Sequence, residues 1–413
     1  MKRDLYLFTD GFPFGRGEKT FIMPELSYFR ERFHVTVVAY IWDPAVLKDS
    51  NLKTSLPDDI DLIVYSAPCK MKLISRALVM LLDPMGWREL LALRADGISV
   101  RRLIDSVKSY AAARDFALFL RKSGLIDHSS NAIYYTFWFS TATLALAFLQ
   151  KSLPLPVISR ANGYELFNEV QRNGRQPFQR IKRNACNKLL FVSNQGRDYF
   201  TRHFGEEIAE GQYCINYLGV KRRVSDEEVG VSRRGEDFLL VSCSNVIPLK
   251  RVDLIAKALC LLTNLNVKWV HFGAGQELDS VRAFAKNKKL NAVLDGAVPN
   301  EAVMTYYREH QVSCFISTSS SEGGSPVSIQ EALSFGVPVI GANVGGVPEC
   351  IDGNGILLSA NPTVQEVADA IRFVHDASGA EWKRMAQRSY ELWRERFELD
   401  HNKRVLLEMM ETL

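Results

Sequence analysis

Two glutamates, Glu322 and Glu331, flank a Gly323-Gly324-Ser325-Pro326 turn, and Lys250 with Arg251 behind it closes a separate apolar run. The glycine turn between the two carboxylates can hold an anion such as a diphosphate, and the Lys-Arg pair is either a further anion contact or a solvent-facing pair. A helix N-terminus entered through glycines offers backbone N–H groups to an anion. Fixed cations stabilise an anion held beside them. The run Ser319 to Ile340 has the required order: a strand Val312 to Ile316, a glycine loop, Ser325 as N-cap with Pro326 at the first helical position, and a helix ending at Gly336. Within it Glu322 can face a sugar ring while Glu331, inside the helix, accepts hydrogen bonds from vicinal hydroxyls. A structural use stands beside this one, because Ser328-x-x-Glu331 has capping-box spacing.

The elements that must position these residues alternate short β-rich runs with helical patterns. The expected strands are 4–8, 35–39, 62–65, 132–135, 156–159, 189–192 and 213–217, then 238–243, 267–272, 312–316, 337–340 and 356–358. Such alternation predicts parallel sheets covered by helices. The strongly polar segment Lys221 to Asp237 puts a boundary near Gly219, giving two doubly wound α/β domains, 1–219 and 220–391. In such sheets ligands bind beyond the carboxyl ends of the strands.

Composition narrows the alternatives. The chain has 413 residues, 47% of them hydrophobic and 24% charged, which excludes disordered, collagen-like and coiled-coil chains. A net charge of +4 is too small to imply nucleic acid. Residues 69–123, however, carry eleven Lys/Arg against five acids in a helical pattern, a composition suited either to an anionic membrane surface or to a solvated face. The longest nearly apolar stretch, Trp138 to Leu149, is too short to span a bilayer. The N-terminus reads as a strand rather than a signal peptide, and the seven dispersed cysteines fit a reducing cytoplasm. Asp59-x-Asp61 precedes a strand instead of following one, and the histidines lack ligand spacing, so no metal is expected.

The run from Ser319 to Ile340 resembles the carboxylate signature of glycosyltransferase family 4, and further segments extend the resemblance over nearly the whole chain. It implies the GT-B fold: two facing Rossmann-like domains with a cleft between them and a C-terminal segment, 392–413, packing back on the first. Lys250 falls on the family's diphosphate-binding lysine. Asn245 replaces an arginine common five residues earlier, a charge that Arg251 is expected to supply. Gly273-x-Gly275 is similar to the family's glycine turn, and Val298 falls where the nucleobase rests. Gly15, Arg16 and Gly17 match the glycine-rich loop after the first strand, near the donor phosphates and the acceptor. Asn162 stands where members usually have a histidine that touches the transferred sugar. Eight residues separate Glu322 from Glu331 where seven are usual, the extra one lying before the helix at Gly324 or Ser325.

The resemblance therefore implies Glu322, Lys250 and Asn162 as catalytic residues. The donor-binding set is Gly15, Arg16, Gly17, Asn245, Lys250, Arg251, Gly273, Val298, Glu322, Gly323, Gly324, Ser325, Pro326, Val327, Ser328 and Glu331. It implies a retaining, metal-independent transfer without cofactor, from a nucleotide sugar, with a UDP-sugar the expected donor, to a glycan or lipid-linked saccharide in polysaccharide biosynthesis. The expected location is cytoplasmic, peripheral to a membrane through residues 69–123. A nucleotide-sugar epimerase and a silent nucleotide-sugar-binding partner subunit are the alternatives.

Overall fold

The structure is a computed structural model and describes residues 2–15, 17–49, 52–67, 78–126, 131–205, 209, 211–221, 237–324 and 326–413. The chain divides into two compact units. The first comprises 1–192, 196–216 and 403–413, and the second 193–195 and 217–402.

The first unit holds a parallel sheet of seven strands: β1 (Arg3–Thr9), β2 (Phe33–Ile41), β3 (Asp61–Ser66), β4 (Ile133–Thr136), β5 (Val157–Ala161), β6 (Lys188–Phe191) and β7 (Tyr213–Ile215), in the order β3-β2-β1-β4-β5-β6-β7. Its central strands are buried because helices cover both faces, and the one charge among β4 and β5, Arg160, is paired with the buried Glu25. β4 and β5 are buried at every position.

The second unit repeats the topology with β8 (Phe238–Cys243), β9 (Val267–Phe272), β10 (Ala292–Gly296), β11 (Cys314–Ser317), β12 (Val339–Ala342) and β13 (Gly355–Leu358), in the order β10-β9-β8-β11-β12-β13. Successive side chains of its strands enter opposite cores. Leu240 and Trp269 pack on one side, and Leu239, Val241 and Val270 on the other. All twelve expected strands are present, with ends shifted by up to two residues. The additional strand, β10, is an edge strand whose burial alternates, so its sequence lacks a continuous apolar run.

In both sheets the strand order reverses between the first and fourth strands. Doubly wound sheets open a crevice at this point, outside the carboxyl ends. The loops that leave β8 and β11 therefore lie side by side in the second unit, and those that leave β1 and β4 in the first. Among the described residues no helix is long and apolar enough to cross a membrane.

Candidate active site

The loop after β8 carries Asn245 and Lys250, and the loop after β11 carries Glu322. The topology makes them neighbours, and the side chains meet: Lys250 Nζ donates to Glu322 Oε1 at 2.6 Å. Both are largely shielded, with 20% and 13% of their side chains exposed. Asn245 is exposed on the same loop.

Arg251 is placed differently from the expectation that it supplies charge to a diphosphate. Its backbone takes left-handed angles (φ 47°), a conformation costing an L-residue roughly 1–2 kcal/mol. Its guanidinium is engaged by protein oxygens: Nε with Thr318 O (2.6 Å), Nη1 with Asn361 Oδ1 (2.7 Å) and Nη2 with Ser319 O (2.8 Å) and Ala360 O (3.2 Å). Thr318 Oγ1 answers by donating to Arg251 O at 2.9 Å. Arg251 thus ties the β8 loop to the β11 loop.

The helix after β11 runs Val327–Ser334, so Pro326 occupies the N-cap rather than the first helical position, and no side chain caps it. Ser325 lies outside the described residues, as does Arg16. The first N–H groups to bond along this helix are those of Ile329 and Gln330, both to Pro326 O. Those of Val327 and Ser328 precede the ladder, as at any helix start. Gly336, with φ 69°, closes the C-terminal end. Glu331 does not form the capping box that its spacing with Ser328 allows. Its Oε1 accepts from Asn300 Nδ2 at 2.7 Å. Val298, two residues before Asn300, packs against the apolar cluster that contains Val241 and Phe272.

Glycines permit the close approach of these loops. A Cβ on Gly273 would lie 1.8 Å from Ser244 O, and one on Gly275 2.3 Å from Val246 O, so the β9 turn rests directly on the backbone of the β8 loop. A second pair, Gly345-Gly346 after β12, does the same for the carboxylate loop. Their Cβ positions fall 2.0 Å from Glu322 O and 2.1 Å from Gly324 O. Sequence patterns did not single out this pair, although Gly-Gly two residues past a strand is a usable signal. Beneath the loops runs a neutral hydrogen-bond chain from Trp269 Nε1 to Ser242 Oγ to His271 Nδ1, and from His271 Nε2 to Ser244 O. Burial pulls His271 down to about 4, which keeps the imidazole neutral.

In the first unit Gly15, with φ 85°, donates its N–H to Leu52 O at 2.9 Å, and Gly17 is exposed. Glu18 neither caps the next helix with its side chain nor stands free. Its carboxylate gathers Asp10 N (3.0 Å), Phe12 N (2.5 Å) and the indole N–H of Trp138, which closes the loop upon itself. Asn162 is buried, with Nδ2 donating to Phe137 O at 3.0 Å and its own N–H to Glu165 Oε1 at 2.7 Å.

Asp10, Glu165 and Lys182, which sequence patterns did not single out, line a cavity of about 670 Å³ together with Trp42, Trp138 and Tyr164. Burial and the neighbouring Glu18 push Asp10 up to about 7, burial raises Glu165, and burial lowers Lys182 to about 8. Asp59 of the Asp-x-Asp sequence is spent on Arg30, 2.6 Å away.

Two parallel sheets of Rossmann-like strand order, with a lysine–carboxylate pair before a helix N-terminus in the second, define an α/β protein of two Rossmann-like units. The comparisons make the class specific. Residues 225–391 match the family described as "Glycosyl transferases group 1". The GDP-mannose-dependent alpha-(1-6)-phosphatidylinositol monomannoside mannosyltransferase of Mycobacterium tuberculosis is 26% identical over 255 residues, 57% of this chain and 65% of that protein. The N-acetyl-alpha-D-glucosaminyl L-malate synthase of Bacillus anthracis is 26% identical over 153 residues, 36% of this chain and 39% of that protein. The chain thus spans less than two thirds of the length of either relative. In fold it is similar to Anabaena Alr3699/HepE in complex with UDP (TM-score 0.66, 15% identity, 100% of both chains). It is equally similar to sucrose-phosphate synthase from Thermosynechococcus elongatus (TM-score 0.69, 14% identity, 100% of this chain and 99% of that one). The second unit thus resembles the group 1 glycosyltransferases, and the chain has the GT-B fold.

Proposed function

We propose that the protein is a retaining, metal-independent glycosyltransferase that moves a sugar from a nucleotide diphosphate donor to a glycan or lipid-linked saccharide at the cytoplasmic face of a membrane. The observation that carries the reading is the Lys250–Glu322 pair, which joins the β8 loop to the β11 loop that leads to the helix start at Pro326. The N–H groups at that helix start and the ammonium of Lys250 receive the diphosphate. Glu322 orients the donor sugar once Lys250 turns to the phosphate. Glu331, steadied by Asn300, takes the ribose hydroxyls, and Val298 backs the base. Arg251 acts by holding the two loops together. Asn162 and the Gly15 to Gly17 loop serve the transferred sugar and the acceptor.

Transfer proceeds on one face of the sugar. The bond from its anomeric carbon to the diphosphate breaks, the acceptor oxygen bonds to the same carbon, and the acceptor proton passes to the departing phosphate oxygen. UDP is the favoured nucleotide, supported by the UDP complex of the Anabaena relative, whereas the mycobacterial relative is named for GDP-mannose. Slow hydrolysis of UDP-, GDP- and dTDP-sugars without acceptor tests the reading. Release of UDP from one UDP-sugar, abolished in Lys250→Ala, is the expected result. Nucleotide binding with no turnover of any donor would refute it.

A further inference from the structure

The cavity of about 670 Å³ in the first unit holds a carboxylate that the protein itself satisfies only by half. Glu165 lines this cavity and is 7% exposed. Its Oε1 accepts from Asn162 N at 2.7 Å and from Asn162 Nδ2 at 3.4 Å, whereas its Oε2 is buried with no hydrogen-bond partner among the described residues. A buried charged acceptor left unpaired bears its full desolvation cost, and a ligand that donates a hydrogen bond there recovers it. Asp10 lines the same cavity, with Oδ1 accepting from Ser140 Oγ at 3.0 Å. Burial and the negative charges of Glu18 and Glu165 push Asp10 up to about 7 against the pull of Ser140 and Lys182. The carboxylates therefore outweigh the lysine around it. Lys182 is itself directed to Phe139 O, 2.9 Å from its Nζ. Of the other charged residues in the lining, Asp105 accepts from Asn173, Arg175 is held by Glu89 and Asp96, and Lys108 is exposed.

Aromatic rings complete the lining. Trp42 and Tyr164 are 54% and 71% exposed, and the ring of Trp42 lies 4.7 Å from that of Tyr40. Trp138 is fixed by the bond from its indole N–H to Glu18, so its ring is set before any ligand arrives. A pyranose has a face of C–H groups and a rim of hydroxyls. Aromatic rings take the first and carboxylate oxygens the second, the combination of apolar surface with a few placed polar groups that marks a small-ligand site. A carboxylate on the ring would instead meet Asp10 and Glu165, and like charges brought together out of water repel strongly.

We propose that Glu165, with Asp10 beside it, determines acceptor specificity: the cavity admits an uncharged pyranose whose hydroxyl donates to Glu165 Oε2 and whose C–H face packs on Trp42, and it excludes a pyranose that carries a carboxylate. The inference deepens the saccharide-acceptor reading and rests on it for calling the occupant an acceptor, but sugar binding is read with neither donor nor turnover.

The test titrates the full chain with the methyl glycosides of glucose, galactose and mannose and of the three matching uronates, followed by saturation-transfer NMR. At least one neutral glycoside is expected to bind, and its uronate about tenfold or more weakly. Glu165→Gln should weaken the neutral sugar about fivefold and narrow the gap to its uronate to about threefold, because the variant keeps an acceptor for Asn162 but loses the charge. Trp42→Ala should weaken both sugars alike, by about threefold to tenfold. Transfer to none of the neutral glycosides overturns the proposal, as does a uronate that binds as well as its neutral counterpart. Wild-type affinities in both variants place the sugar elsewhere and overturn it too. Should either variant melt early, the comparison of neutral sugar with uronate on the wild type decides. Donor hydrolysis that persists while no glycoside binds strikes this proposal alone, and its loss with sugar binding intact strikes the activity reading and leaves the cavity as a saccharide site.

Discussion

Removing either member of the Lys250–Glu322 pair should move nucleotide affinity in opposite directions. With no nucleotide bound, the ammonium is neutralised by a carboxylate 2.6 Å away. A diphosphate must take the lysine from that partner. A hydrogen bond to a charged group contributes roughly 1.5–3 kcal/mol, so Lys250→Ala should weaken UDP binding about 10- to 150-fold. An ion pair in part-exposed surroundings is worth only about 0.2–1 kcal/mol. Glu322→Gln frees the lysine at that small cost and should therefore tighten UDP by up to about fivefold, while donor hydrolysis falls because the sugar loses its orienting carboxylate. Calorimetric titration with UDP at fixed salt measures the binding, melting curves verify the fold, and phosphate-coupled detection follows turnover. The reasoning fails if Lys250→Ala binds UDP like the wild type. It fails too if Glu322→Gln weakens UDP as much as Lys250→Ala does, since the carboxylate would then be positioning the lysine instead of competing for it.

Gly345→Ala places a Cβ 2.0 Å from Glu322 O at a φ of +54° and should cost about 2 kcal/mol or more together with most UDP affinity, whereas Gly379→Ala, with nothing within 4 Å, should be neutral or slightly stabilising in chemical denaturation. In the first unit Glu25 lies buried between Arg160 and Lys403, and although burial opposes it, these two cations hold its carboxylate below the usual range. Glu25→Gln strands both cations and should cost about 3–5 kcal/mol, while Lys403→Met leaves one balanced pair and should cost far less, a contrast that urea midpoints will show. Asp10 titrates near 7 in the folded chain against 3.8 for the free side chain, so its contribution is full below about 4 and lost as pH rises through 7. Relative to the wild type, Asp10→Asn should therefore gain stability between pH 4 and pH 8, with a ceiling of about 4 kcal/mol, and a pH-independent difference would refute the assignment.

The strands were legible because most are buried on both faces and therefore spell continuous apolar runs. β10 escaped because an edge strand needs only one buried face, and Ala292–Gly296 alternates accordingly. The meeting of Lys250 with Glu322 follows from topology, since β8 and β11 are adjacent only because the strand order reverses between them. What remained hidden depends on backbone angles. Arg251 reads as a second cation for phosphate, but its left-handed backbone turns the guanidinium onto the β11 loop, and no spacing rule contains that angle. The helix start shifted by one residue for a related reason: Pro326, with ψ 87°, stands outside the helical region.

The two units also differ in how far their chemistry can be read along the chain. In the second, each functional loop is short and sits directly after a strand, so that glycines, a lysine and a carboxylate appear as compact words. The cavity of the first unit draws Asp10 from the β1 loop, Glu165 from the β5 loop and Lys182 from the helix Gln179–Ala185, and their meeting is a product of the sheet alone. A site that recognises a common nucleotide can rest on local words shared across a family. One that must suit a particular acceptor is better assembled from distant positions, each of which can change without disturbing the others. The perturbed titrations of Asp10 and Lys182 follow from that assembly, because burial brings ionisable groups together without a local motif to announce them.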